Sequence, residues 1–276
     1  MMGPHHAACG AAAWVAMTTR FHIDLAGAAQ VLPFLPHGVD VGLGLLHVSA
    51  VGVVTGALVT AGAALVPDAD HRNATIAHSL PPVSNIVCRE IGKASGGHRH
   101  GTHSVLGIFF FILVALLAGL WTLPLAPFGT IYPGAGLLSV LLVSFAAKVL
   151  RIIPDSMRKF PWLLGLAAGV FITFFAPQEQ GWFPLAVGVG AAVHIVGDML
   201  TTGGCNLIWP LRIKPPTFLR RIPVVSWVWK PSGYLAVPVL GHAGSWREWL
   251  LLVPVSLYAV LGMGGALFAV AGVGAA

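Results

Sequence analysis

The chain has 276 residues, 57% of them hydrophobic and only 9% charged, with a mean hydropathy of +0.85. A soluble domain carries about 25% charged residues, so this composition excludes an ordinary water-soluble fold and points to an integral membrane protein. Gly (34) and Pro (20) suit close-packed or broken membrane helices, the alternation of a membrane barrel is absent, and the net charge of +6 is read as marking loops at one membrane face, with no nucleic-acid partner.

Apolar runs fall at residues 6–19, 42–66, 104–126, 131–150, 160–176, 183–209 and 248–274. The first, HAACGAAAWVAMTT, is short; it either just crosses or sits as a partial helix against the others. The remaining six are long enough to span a hydrocarbon core of about 30 Å. The expectation is an all-α polytopic bundle of six to seven spans, a single integral membrane domain over 1–276. With the N-terminus and the loops at 67–103, 151–159 and 210–247 in the cytoplasm, Arg20 is the only one of the 15 Lys and Arg residues outside. Loops 127–130 and 177–182 hold none, so the bundle is expected N-terminus in and C-terminus out. The first basic residue is Arg20, so the charged start of a cleavable signal peptide is missing. Residues 210–247 are basic, aromatic and proline-rich, expected along the cytoplasmic interface either as an ordinary positive loop or as a grip on anionic headgroups. Cys9, Cys88 and Cys205 are widely spaced with no CxxC pair, which reads as free thiols.

Polar residues gather at a few places. LVPDADHR puts Asp68, Asp70 and His71 at the inner end of the second run. SGGHRHGTHS, residues 95–104, stands at the inner start of the third. AAVHIVGDML places His194 and Asp198 four residues apart on one helix face. His6 joins them if the N-terminus is inside, with His5 an equal competitor. Each piece has a blander reading: a cap and turn, a helix-packing hydrogen bond, a solvated loop. Together they deliver imidazole and carboxylate groups to one membrane face, the donor set of zinc and similar divalent ions. The candidate metal ligands are His6, Asp68, Asp70, His71, His98, His103, His194 and Asp198. They suffice for one or two divalent ions, zinc by donor type, with the remainder orienting the ligands. Such an ion would activate water for attack on an ester. Arg72 and Arg99 stand beside the ligands, where a phosphate needs fixed positive donors. Asp70 or Asp198 would serve as general base where not committed to metal, Arg99 would hold a phosphate oxygen, and Thr102 or Ser104 would orient a ligand histidine. His22, His37 and His47 fall toward the other side, and His78 lies outside any dense cluster.

These motifs, in this order over residues 5–212, resemble the YdjM-like family of membrane-bound metal-dependent hydrolases. An early His before small residues is matched by His6 in HHAACGAAAW, and a Leu-Leu-Pro-Asp-x-Asp-His motif by LVPDADH. A Gly-His-Arg-Gly-x-Thr-His-Ser motif is matched by GHRHGTHS, and His-x3-Asp-x2-Thr-x-x-Gly running to Trp-Pro by HIVGDMLTTGGCNLIWP. His100 replaces a glycine of the pattern and is an extra ligand, a proton carrier or a tolerated neighbour. The stretch 104–176 is longer than the family minimum, and Glu248 resembles a late acidic position in some relatives. The resemblance implies an inner-membrane, metal-dependent hydrolase.

The leading expectation is an enzyme that cleaves a phosphoester of a membrane lipid or lipid-linked substrate at the cytoplasmic face. A metal-ion or proton transporter could use the same His and Asp residues, but transport sites lie near mid-membrane and often within inverted repeats, which are not apparent here. A non-catalytic protein with a structural metal is the third reading. A histidine-nucleophile lipid phosphatase is disfavoured because KPSGY lacks the following His, and an intramembrane metalloprotease because no HExxH occurs.

Overall fold

Long apolar runs with few charges have one low-energy solution in a bilayer, the helix, because every backbone N–H and C=O must be satisfied within the segment. The computed structural model describes residues 1–151, 160–175 and 181–272. Most of the expected loop at 151–159 and of the expected loop at 177–182 lies outside the described residues, as does the end of the last apolar run. The runs become α1 (Gly3–Thr18), α3 (Ala50–Ala63), α5 (Val105–Leu120), α6 (Pro133–Val149), α7 (Phe160–Phe175), α8 (Trp182–Met199) and α10 (Trp246–Val270). Shorter helices α2 (Ala26–Val31), α4 (Val83–Ala94) and α9 (Pro223–Val228) lie in the connections. Two antiparallel hairpins qualify the all-α expectation: β1 (Phe21–Asp24) with β2 (Gly38–Val41), and β3 (Leu123–Leu125) with β4 (Gly129–Ile131). Ala50–Asp70, Trp182–Met199 and Trp246–Ala269 are long and apolar enough to cross a membrane; α5, α6 and α7 are shorter apolar helices.

The short first run is a central helix. Trp14 and Val15 of α1, Ala57 and Val59 of α3, and Ala186 and Ala191 of α8 are all buried in one core. Glycines set how closely these three helices approach. A methyl group on Gly10 of α1 would stand 2.7 Å from the Thr60 carbonyl oxygen of α3, and one on Gly190 of α8 2.6 Å from the same oxygen. Small residues of this kind let membrane helices pack backbone to backbone. The outer faces of α5 and α10 carry exposed Phe109, Phe110, Leu117, Leu250, Leu257 and Leu261, a surface made for lipid.

Several helix ends differ from the hydrophobic runs. The run 104–126 stops being helical at Leu120, because Pro124 and Pro127 disfavour helical backbone before them and the chain turns into the β3–β4 hairpin. The run 183–209 leaves the helix at Met199, and Leu200 and Cys205 pair by backbone hydrogen bonds with Leu240 and Leu235 of the 210–247 segment. Serine side chains cap three helix starts: Ser49 accepts from the Gly52 N–H, Ser104 from Gly107 and Ser245 from Glu248. Ser104 therefore caps α5 and donates to the Gly101 carbonyl, and among the described residues its hydroxyl makes no hydrogen bond to a histidine.

Candidate metal centre

The start of α1, the Val66–Asp70 turn that follows α3, the turn before α5 and the last part of α8 meet at one end of the bundle. Two groups of metal-capable side chains form there: Asp68, Asp70, His98 and His103, and His6, His194 and Asp198. They are joined at their centre, where His103 Nε2 and His194 Nε2 stand 3.1 Å apart. Asp68 Oδ1 lies 3.7 Å from each of these nitrogens, and Asp198 Oδ2 lies 3.7 Å from His103 Nε2 and 3.9 Å from His194 Nε2. Donor atoms at 2.0–2.2 Å from a shared tetrahedral ion are separated by about 3.3–3.6 Å. The distances from the two nitrogens to each carboxylate are close to that range.

The hydrogen-bond pattern gives an independent argument. His194 Nδ1 donates to the Ala64 carbonyl at 2.7 Å, and His103 Nδ1 donates to Asp70 Oδ2 at 3.2 Å. With the proton of each neutral ring held at Nδ1, both Nε2 atoms present a lone pair, and they face each other. At 3.1 Å the two nitrogens need a cation between them, either a proton, which makes the pair an N–H···N hydrogen bond, or a metal ion. The orienting partner on the far nitrogen is the usual second support of a metal-binding histidine. The centre also draws positive charge to itself as protons: burial lowers the pKa of His103, but its hydrogen bonds to Asp68 and Asp70 outweigh that and raise it to about 9.

Asp70 is surrounded by donors. Its Oδ1 accepts from His98 Nδ1 at 2.8 Å; its Oδ2 accepts from the Arg99 N–H at 3.1 Å, the Thr102 hydroxyl at 2.5 Å and His103 Nδ1. Arg99 adopts φ of 65°, a conformation uncommon outside glycine, and its Nε donates to Asp198 Oδ2 at 3.0 Å. His6 stacks on His194 with centroids 3.8 Å apart, and its Nε2 is 3.3 Å from Asp198 Oδ1, which the Met1 amino group also contacts. Neither ring nitrogen of His6 has a hydrogen-bond partner among the described residues.

The other sequence candidates are placed less centrally. His71 lies outside both groups, its ring 4.5 Å from that of His98. His98 is 36% exposed at the rim. His100 points away, 2.9 Å from the Tyr234 hydroxyl, and burial with nearby Arg212 lowers its pKa. His5 pairs through Nδ1 with Glu248, which also accepts from the Met2 N–H at 2.7 Å and the Gly244 N–H at 2.6 Å, so this buried glutamate anchors the start of α1. Reasoning from sequence did not identify the Ala64 carbonyl as a partner of His194.

The fold and the cluster define a class: a helical membrane protein with a buried His/Asp centre, suited to a divalent ion, at one end of its bundle. The chain belongs to the YdjM inner membrane protein family, whose model matches residues 1–269. It is an integral protein of the inner membrane. No curated protein and no solved structure matches it.

Proposed function

We propose that this protein is a metal-dependent phosphoester hydrolase, with six to seven spans, its N-terminus inside, and its centre at the cytoplasmic surface. The observation that carries the reading is the pair of Nε2 atoms 3.1 Å apart, flanked by Asp68 and Asp198. His103, His194 and Asp198 would hold the ion, zinc by donor type, with the partly exposed Asp68 beside the position left for water, His6 against Asp198 and the Asp70–His98 side able to take a second ion. Such an ion supplies Lewis acidity, making nearby water more acidic and stabilising charge that builds on a phosphoryl oxygen.

Access supports a catalytic centre over a closed structural one. Asp68 is 26% exposed, whereas His103, His194 and Asp198 are at most 2% exposed. Asp68 lines a cavity of about 210 Å³ together with Gly3, Asn73 and Thr75. A structural site closes all positions, and a catalytic site leaves one open. Asp70 fixes the ring of His103 and Arg99 fixes Asp198, so both act as positioning residues. Asp198 is engaged by Arg99 and the Met1 amino group, which leaves Asp68, a lining residue of the cavity, to take a proton from attacking water. All the ligands sit at one end of their helices, which favours surface hydrolysis over a transmembrane ion path.

The test is hydrolysis of 4-nitrophenyl phosphate and its diester by purified protein supplied with zinc or manganese. Metal-dependent turnover that falls at least about 100-fold in His194→Ala and Asp68→Ala supports the reading. Turnover absent from the metal-loaded wild type, or untouched by both substitutions, contradicts it.

A further inference from the structure

Helix α4 packs against the Val66–Asp70 turn and separates two cavities. On one side lies a cleft of about 330 Å³ lined by Asp70, His71, Arg72, Arg89, Lys93 and His98. On the other, a groove of about 280 Å³ is lined by Ile91, Leu106, Phe110, Phe111 and Trp209. The two meet at the metal centre's support. Asp70 lines the cleft, Thr102 lines the groove, and the Thr102 hydroxyl donates to Asp70 at 2.5 Å.

The groove opens on the outer face of α5, where Leu106 and Phe110 are 51% and 60% exposed, so its mouth faces the hydrocarbon. Val83, Ile86 and Val87 form an exposed apolar stripe on α4, with Arg89 and Lys93 along its edge. That pattern suits a helix lying in the headgroup plane. The cleft is cationic. Arg72, Arg89 and Lys93 stand against Asp70 and against Glu90, which pairs with Arg89 and Lys93, so one positive charge is left over, and Arg72 forms no ion pair among the described residues.

We propose that the cleft and groove together bind one molecule, a membrane lipid with an anionic phosphate headgroup, whose chain enters the groove between α4 and α5 and whose headgroup reaches the cleft around the C-terminal end of α4, where Ser95 lines the groove and Gly97 the cleft. One acyl chain lies along Phe110 and Trp209, and the phosphate meets Arg72 and Lys93. Charge complementarity selects this occupant: guanidinium and ammonium groups match phosphate oxygens, whereas a zwitterionic phospholipid sets its own cationic group against them. The proposal rests on the hydrolase reading only in making this lipid the substrate; binding requires no turnover.

Binding is therefore measured on full-length protein in phosphatidylcholine nanodiscs with chelator present. The probe is phosphatidic acid with brominated acyl chains, which quench tryptophan on contact, and brominated phosphatidylcholine is the comparison. The chain has nine tryptophans, so Trp209→Phe isolates the contribution of the groove. Saturable quenching by the brominated phosphatidic acid, missing in Trp209→Phe and diminished by Ala94→Phe at the exposed groove edge, is the expected result. Arg72→Gln and Lys93→Gln should each weaken it about fivefold. Equal quenching by both lipids, with no effect of either charge substitution, would show ordinary bilayer contact and overturn the proposal; so would no quenching of Trp209. Hydrolysis of 4-nitrophenyl phosphate, measured in parallel, separates the two ideas. If it persists without specific quenching, the lipid site alone fails; specific quenching without any hydrolysis leaves the lipid site and removes the hydrolase.

Discussion

At the residue scale, Asp70 shows how a side chain acts through a neighbour. Its two oxygens accept four hydrogen bonds, from His98, Arg99, Thr102 and His103, and one of these fixes the tautomer of a ligand ring. Asp70→Asn keeps the shape but cannot accept from all four donors. Loss of an orienting partner costs about 10–100-fold in metal affinity, and we expect a change of that size in a chelator competition, against complete loss of binding in His103→Ala. A second prediction concerns Cys205. The thiol is fully buried, and burial, reinforced by the negative charge of Asp198, pushes its pKa up. The thiolate is the reactive form, so at pH 8 mass spectrometry should find Cys205 unlabelled by maleimide until the protein is unfolded. Much of the centre was legible in the sequence because His and Asp are costly in an apolar chain and here they stand at the ends of hydrophobic runs. His103, His194, Asp68 and Asp198 are read that way. The choice between His5 and His6 was not legible: adjacent residues on a helix point about 100° apart, and only the packing of α1 sends one to Glu248 and the other to Asp198. Nor was the Ala64 carbonyl, since the freed carbonyl at a helix C-terminus carries no side-chain signature.

At the element scale, the position of His194 depends on how closely α8 approaches α3. Gly190 lies one turn before His194 and abuts the Thr60 carbonyl, which Gly10 of α1 abuts from another side. Gly190→Leu must push α8 outward, carrying His194 away from Asp68. Overpacking of this kind costs about 1–3 kcal/mol, so a lowered thermal midpoint together with reduced metal content is expected; an unchanged midpoint with full metal content would show that α8 is placed by other contacts. Apolar runs located the helices well because nothing but a helix satisfies the backbone in lipid. They located the ends poorly. Residues 42–49, 121–126 and 200–209 are apolar yet non-helical, held by backbone hydrogen bonds to other segments, such as Leu43 to Ala16 and Cys205 to Leu235, that hydropathy does not register.

At the scale of the whole molecule, the basic loops and the metal centre share one end of the bundle: Arg72, Arg99 and Arg212 lie in segments that surround the cluster, whereas Arg20 pairs with Asp40 beside the β1–β2 hairpin. The orientation proposed above puts this end in the cytoplasm, in keeping with the positive-inside rule. In intact cells, a membrane-impermeant maleimide should therefore label Arg20→Cys but reach Arg221→Cys only after the membrane is opened; the reverse pattern would invert the orientation. The account as a whole stands on the centre holding a divalent ion. Elemental analysis of detergent-purified protein tests that most directly, for the wild type and for His103→Ala and Asp198→Ala, with circular dichroism to show that the helices persist. The account predicts at least about one equivalent of zinc or another divalent ion in the wild type and its loss in both variants. A wild type that stays metal-free after divalent ions are added back would contradict it.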